Sequence, residues 1–336
     1  METQSSVYII AEVGVNHNGN VDLALKSIDA AKECGANAVK FQTFKTSRLT
    51  SKKAEMANYQ KQNLEKVESQ YDMLKKLELT EKDFFTIKEY CEEIGIDFLS
   101  TPFDDQSASF LKELGVEGIK IGSGDLTNIP FLREIDMYRL PVLLSTGMSN
   151  IEEVREAVDC FQYSPVTLLH CTSNYPAMSE DINLKALNTL REEFSLPMGY
   201  SDHSLGYEVA ICAVAMGANV IEKHFTLSKN LPGPDHRASL NPEEFKAFVE
   251  KIRDAELFLG DGIKRAMPSE MSTKDVARKS IVFTSNLEAG MKISKDIITI
   301  KRPGTGLSPK YLYEVVGKKI KRDVKKDDIL TEDLLQ

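Results

Sequence analysis

The sequence predicts a (β/α)8 barrel followed by a small β-rich module, and three observations carry that prediction. Eight short apolar runs alternate with amphipathic stretches between residues 7 and 258. Such alternation predicts a parallel sheet, and eight units in about 250 residues suit a closed barrel. The turn after the first run reads "EVGVNHNG" and lacks the GxGxxG that an open doubly wound sheet more often carries there. Finally, each run ends in polar residues, as the catalytic rim of a barrel requires.

Taken in order, the strands are "VYIIAEVG" (7–14), "NAVKFQTF" (37–44), "IDFLSTPF" (96–103), "GIKIGSGD" (118–125), "PVLLSTGM" (141–148), "VTLLHCTS" (166–173), "LPMGYSDH" (196–203) and "NVIEKHFT" (219–226). Helical patterns fall at 21–35, 81–94, 151–161, 183–194, 205–216 and 242–258. Asp105, Asn150 and Ser204 are expected N-caps, and Gly35, Gly95 and Gly217 sit where helices should stop. One gap is long. Residues 45–80 are charged and Gln-rich, with apolar residues scattered through the second half. An insertion on a βα connection lies over the catalytic face, so a lid, a subunit contact or a solvated helical excursion is expected. The rhythm is lost near 262–277. The expected division is a barrel over 1–262, a linker over 263–278 and the β-rich module over 279–336, which is small enough to need a docking surface.

Hydrophobic residues make up 42% of the 336-residue chain, enough for a real core. A net charge of −9 argues against a nucleic-acid partner, which would need a basic face. Five cysteines without CxxC spacing read as reduced thiols. No run approaches the ~18 apolar residues of a membrane helix, and the N-terminus lacks a signal-peptide pattern. No membrane association and a cytoplasmic location are expected.

The strand ends carry the chemistry. Glu12, Asn16 and His17 follow the first strand, and Lys40, Gln42 and Thr43 lie on the second. Lys120, Ser123 and Asp125 end the fourth, Ser145 the fifth, and Asn174 and Tyr175 follow the sixth. Lysine is rarely buried without an anion, so Lys40 and Lys120 on neighbouring even strands point to an anionic substrate. Thr101, Ser123 and Ser201, with the backbones of "GSG" and "STG", would complete a phosphate cradle. The alternative is a buried ion pair with Glu12 or Asp202.

His203 and His224 end adjacent strands, about 4.8 Å apart, so both imidazoles could reach one ion. Two imidazoles with few carboxylates suit Mn²⁺, Fe²⁺, Co²⁺ or Zn²⁺ better than an all-oxygen Mg²⁺ cage. Open positions would remain for water and substrate. Among the other histidines, His17 and His236 are expected near substrate and His170 in a structural role.

The motifs "AEVGVNHNG", "VKFQT", "STPFD", "KIGSGD", "LSTGM", "LLHCTSNYP", "GYSDHS", "IEKHFTL", "GPDHRASL" and "KRPGTG" together resemble the sialic acid synthases. Those enzymes condense phosphoenolpyruvate with N-acetylmannosamine or a related 2-acetamido sugar. The resemblance spans nearly the whole chain and implies a (β/α)8 barrel with an antifreeze-like (SAF) domain in a domain-swapped homodimer. It implies that His203 and His224 hold a divalent metal, Mn²⁺ first, with Mg²⁺ or Co²⁺ as alternatives. Lys40, Thr101, Lys120, Ser123, Ser145 and Ser201 would bind phosphoenolpyruvate. Gln42, Asn174, Tyr175 and Asp235 would hold the sugar, with Arg302 from the partner subunit's SAF domain. Glu12 and Glu222 would be the acid/base or supporting carboxylates. Asp125 stands where many members have Glu, which bears on the choice of sugar. N-acetylmannosamine is the first expectation and the diacetamido trideoxy sugar leading to legionaminic acid the second. A Schiff-base aldolase using Lys40 or Lys120, or a non-catalytic sugar-binding protein, are the rival readings.

Overall fold

The computed structural model describes residues 6–52, 54, 56 and 69–336. Its contacts divide the chain into one unit over Met1–Gly260 and another over Asp261–Gln336.

The first unit is a closed eight-stranded barrel. Its strands are β1 (Tyr8–Gly14), β2 (Ala38–Thr43), β3 (Asp97–Pro102), β4 (Ile119–Ile121), β5 (Val142–Ser145), β6 (Val166–Cys171), β7 (Met198–Asp202) and β8 (Val220–His224). All pair in parallel, and β1 closes onto β8. Alternation along each strand sends one set of side chains outward and the other inward. The outward set, such as Ile9, Ala11, Val39, Phe41 and Phe98, joins the surrounding helices in the principal core. Inside the barrel, Ile10, Ala38, Leu99, Leu169 and Val220 form a separate apolar plug. Above that plug the inward residues turn polar, and the site begins there.

Helix ends follow their local signals. Thr80 and Asp83 form a capping box for Glu81–Ile94, which stops at Gly95 in the left-handed region at φ 71°. Asn150 caps Ile151–Val158 as expected, with Glu153 returning the bond. Two expected caps shift. Asp104, not Asp105, accepts from Ser107 N at the start of Asp105–Leu114. Ser204 caps no helix, because its N–H and hydroxyl both bond Asp202 Oδ1 and the next helix begins only at Glu208.

In the long β2–helix connection, helices form at Thr46–Leu49 and Gln70–Leu77. Met73 and Leu77 are buried against Val15, Phe44 and Met56. The remainder of the expected lid, chiefly 57–68, lies outside the described residues.

In the second unit β9 (Ser280–Phe283) pairs antiparallel with β10 (Ile298–Lys301) around its own core of Ile281, Phe283, Ile293, Ile320 and Leu330. A short helix, Met271–Ala277, lies within the stretch expected to be linker.

Candidate active site

The polar layer of the barrel is organised by strand register. Glu12 stands level with Lys40 on β2 and with His224 on β8, Gln42 with Thr101, and Ser201 with Glu222. Lys40 Nζ lies 2.7 Å from Glu12 Oε2, 3.8 Å from Glu222 Oε2 and 3.0 Å from Thr101 Oγ1. Lys120 is less committed, donating to the Ile121 carbonyl at 3.2 Å and standing 4.0 Å from Glu222. Gln42 Nε2 donates to Glu12 Oε1, and the Ser201 hydroxyl donates to Glu222 Oε1 at 2.8 Å. Of the two open readings of the lysines, the buried ion pair is what Lys40 makes with Glu12, while Lys120 stands 4.0 Å from its nearest carboxylate.

Two buried carboxyls in one network are driven apart. Burial pushes Glu12 above the ordinary carboxylate range, against the pull of Lys40, and the Glu222 charge adds to the rise. Burial pushes Glu222 the same way, but Lys120, Lys40 and the Ser201 hydroxyl overcome it and hold it at about 2. The two carboxyls are thus pushed in opposite directions within one buried network.

Burial lowers the basicity of both histidines, with His224 held at about 3, so each imidazole is neutral as metal ligation needs. The ring centroids are 5.6 Å apart. His203 Nδ1 lies 2.7 Å from the Thr172 carbonyl, which can only accept, so Nδ1 carries the proton and Nε2 keeps its lone pair. His224 Nδ1 is buried without a hydrogen-bond partner. Tyr175 packs on His203 at 4.2 Å and meets His224 edge-on at 5.5 Å. Among the described residues no group of three His, Cys, Asp or Glu side chains could enclose an ion. Two neutral imidazoles supply two donors, so an ion held here would take its remaining ligands from water and substrate.

These residues line a cavity of about 530 Å³ at the C-terminal face of the barrel. Glu12, Lys40, Gln42, Thr101, Lys120, Ser123, Ser145, Tyr175, Ser201, His203, Glu222, His224 and Asp235 all contribute. The Ser145 hydroxyl is buried there without a hydrogen-bond partner, as a group that meets a ligand would be. Ser123 Oγ accepts from Gly147 N at 3.0 Å, and a Cβ on Gly147 would stand 2.4 Å from Ser173 Oγ and 2.8 Å from Ser123 Oγ, so a side chain there would displace both hydroxyls. Burial and the nearby Glu12 charge raise Asp235 to about 7.

Two expected sugar contacts stand apart from this cavity. Asp125 closes the 3-10 turn Ser123–Asp125 and accepts from Asn128 Nδ2 at 3.2 Å. Asn174 is exposed and lines a neighbouring cavity of about 570 Å³ with His170 and Thr172. Arg302 belongs to the second unit, where it is exposed. His17 and His236 line neither cavity. His236 bonds Thr226 and Asn18, and His17 Nδ1 accepts from Gly19 N, so both build the loops around the site. His170 bonds the Ile182 carbonyl.

Sequence reasoning also missed residues. Lys223 forms a buried pair with Asp202 at 2.8 Å, and Cys171 Sγ lies 3.2 Å from Ser123 Oγ. An apolar cavity wall from Leu49, Met73, Leu74 and Leu77 was signalled only by the scattered apolar residues of the insertion.

Comparison with known proteins identifies relatives along the whole chain. Residues 27–264 match the NeuB family and residues 278–336 match the SAF domain. An N,N'-diacetyllegionaminic acid synthase of Legionella pneumophila is 50% identical over 93% of this chain and 90% of its own. One of Campylobacter jejuni is 44% identical over 96% of this chain and 98% of its own. The crystal structure of an N-acetylneuraminic acid synthetase from Leptospira borgpetersenii, in complex with citrate, superposes with a TM-score of 0.70 at 38% identity, over 80% of this chain and 90% of that one. No helix among the described residues is long and apolar enough to cross a membrane.

Proposed function

The chain belongs to the NeuB family, the sialic acid synthases, and we propose that it condenses phosphoenolpyruvate with 2,4-diacetamido-2,4,6-trideoxymannose to give N,N'-diacetyllegionaminic acid and phosphate. The observation that carries the reaction class is the buried constellation of Lys40, Lys120, Glu12, Glu222, His203 and His224 in one cavity. The choice of sugar is supported by the relatives: the two legionaminic synthases are 50% and 44% identical, the N-acetylneuraminic acid synthetase 38%. N-acetylmannosamine, the first expectation from sequence, becomes the second reading.

Lys120 and Lys40 supply the positive floor for phosphoenolpyruvate, with the Thr101, Ser123 and Ser145 hydroxyls as donors, while the Ser201 hydroxyl is committed to Glu222. C3 of phosphoenolpyruvate forms a bond to the aldehyde carbon of the open-chain sugar, and the aldehyde oxygen takes a proton. The Lys40–Glu12 pair, 2.7 Å apart, is the proposed source of that proton. Water then adds at C2, and the C2–O bond to phosphate breaks. One proton of the water stays on the new C2 hydroxyl until the ketone forms and then returns to the Lys40–Glu12 pair, replacing the one given to the aldehyde oxygen, and the other leaves with the phosphate. Glu222 remains anionic and, through Ser201, orients donors on that side. A divalent metal bound by His203 and His224 would polarise the aldehyde oxygen. A Schiff-base role does not suit Lys40, which is held charged by Glu12 and Glu222.

The test is phosphate release from phosphoenolpyruvate, with Mn²⁺ and with EDTA, against both sugars. Release with the trideoxy sugar that EDTA abolishes supports the reading. Release with N-acetylmannosamine alone replaces the sugar, and pyruvate turnover trapped by borohydride without metal would replace the mechanism.

A further inference from the structure

One side of the cavity mouth is apolar. Val15 after β1, Leu49, Met73, Leu74 and Leu77 of the β2 connection, and Phe103 after β3 line it. Met73 and Leu77 are anchored in a small core with Val15, Phe44 and Met56, while Leu49, Leu74 and Phe103 are only half-buried. Thr50 donates its hydroxyl to Gln70 Oε1 at 2.9 Å, which leaves the donor end of the Gln70 amide as a polar point on this wall. The cations among the described lining residues are Lys40 and Lys120, and both sit on the floor beside Glu12 and Glu222.

We infer that this wall reads the end of the acceptor sugar remote from its aldehyde, selecting a terminal methyl over a hydroxymethyl or a phosphate-bearing carbon. The inference rests on the condensation proposed above. The aldehyde must meet C3 of phosphoenolpyruvate at the floor, so the far end of a six-carbon chain rises toward the mouth. A hydroxyl pressed there loses water and meets Leu49, Leu74 and Phe103, which offer it no partner. A phosphate there would need a cation, and the described lining residues place theirs on the floor. The Gln70 amide, by contrast, complements the carbonyl of an acylamino group. An apolar pocket discriminates against an added hydroxyl by at most about a hundredfold, so a preference of about 10-fold to 100-fold is expected.

The experiment measures kcat/KM with Mn²⁺ and saturating phosphoenolpyruvate for 2,4-diacetamido-2,4,6-trideoxymannose, N-acetylmannosamine and N-acetylmannosamine 6-phosphate. Wild type should favour the first, and Leu74→Gln should lower that preference about tenfold while the KM for phosphoenolpyruvate stays unchanged. Leu49→Gln, on a different helix, provides the second variant should the first fold poorly. Equal turnover of the three sugars by wild type, or an undiminished preference in active variants, overturns the inference while leaving the condensation intact. Wild type that releases phosphate with none of them overturns the condensation reading itself, and the inference with it.

Discussion

Lys223 Nζ and Asp202 Oδ2 lie 2.8 Å apart, on residues directly opposed in the β7–β8 register. Because Glu222 and His224 line the cavity, alternation turns Lys223 to the outside of the barrel, into the helix-facing layer. There it also donates to the Ser204 carbonyl, while Asp202 accepts from Ser204 N and Oγ. Each member of the pair immediately precedes one of the two site histidines. Removing one partner of a buried pair typically costs about 3–5 kcal/mol, because a lone charge is left behind. Lys223→Met should therefore lower stability by that order, and Asp202→Asn in the same chain should recover most of it. Denaturant midpoints across the three variants measure this. A Mn²⁺ titration should also show weaker binding in the single variant, since the ends of β7 and β8 carry His203 and His224. Wild-type stability and Mn²⁺ affinity in Lys223→Met would refute the clamp.

The barrel was legible because parallel strands buried on both faces read as apolar runs, and because the inward side chains near their C-terminal ends are polar in a position where packing alone would ask for Leu or Val. Lys40 and Lys120 stood out for that reason. Lys223 was overlooked although the signal was present: in "VIEKHFT", Glu222 and His224 share one face, so Lys223 must take the other. The segment that carries Asp125 was misread for a different reason. Its strand had been extended to residue 125, whereas β4 ends at Ile121 and a 3-10 turn then redirects each side chain. Strand periodicity holds no information about that turn. The apolar wall was hidden because a short helix at 70–77 within a charged insertion gives too few turns for its buried stripe of Met73 and Leu77 to be recognised.

Lys120 has its carbonyl contact at 3.2 Å and its nearest carboxylate at 4.0 Å, and burial lowers its affinity for the proton. An anion that reaches it gains a charge-assisted hydrogen bond worth about 1.5–3 kcal/mol, or roughly 10-fold to 150-fold. Lys120→Met should raise the KM for phosphoenolpyruvate within that range and leave the sugar KM nearly unchanged. Steady-state kinetics with each substrate varied in turn decides it. A sugar KM that rises equally would mean that Lys120 shapes the whole cavity instead.

Asp235 gives a pH dependence with a definite sign. Its ordinary value of 3.8 is raised to about 7 in the folded protein, first by burial and then by the Glu12 charge. The folded state therefore holds the proton more tightly than the unfolded state. Its favourable contribution is complete below about 4 and is lost as the pH climbs through 7, beyond which stability no longer changes on its account. Asp235→Asn should flatten that decline and be the more stable protein, relative to wild type, at pH 8 than at pH 4. Urea unfolding at a series of pH values tests this, and an unchanged slope between pH 4 and 7 would show that Asp235 is not the group responsible.

Asp125→Glu separates the two accounts of the family's customary glutamate at that position. If a carboxylate there reaches the sugar, the added methylene should change the sugar KM several-fold. The geometry gives the opposite expectation. Asp125 is the last residue of its turn, bonds Asn128 at 3.2 Å and stands outside the cavity wall formed by Gly122, Ser123 and Gly124. Lengthening the side chain exchanges one half-buried hydrogen bond for another, and surface changes of that kind usually stay within about 0.5 kcal/mol. Activity, both KM values and the sugar preference should therefore remain within about twofold of wild type. A shift confined to the sugar KM would instead require the Ser123–Asp125 turn to rearrange when the sugar binds, carrying the carboxylate inward.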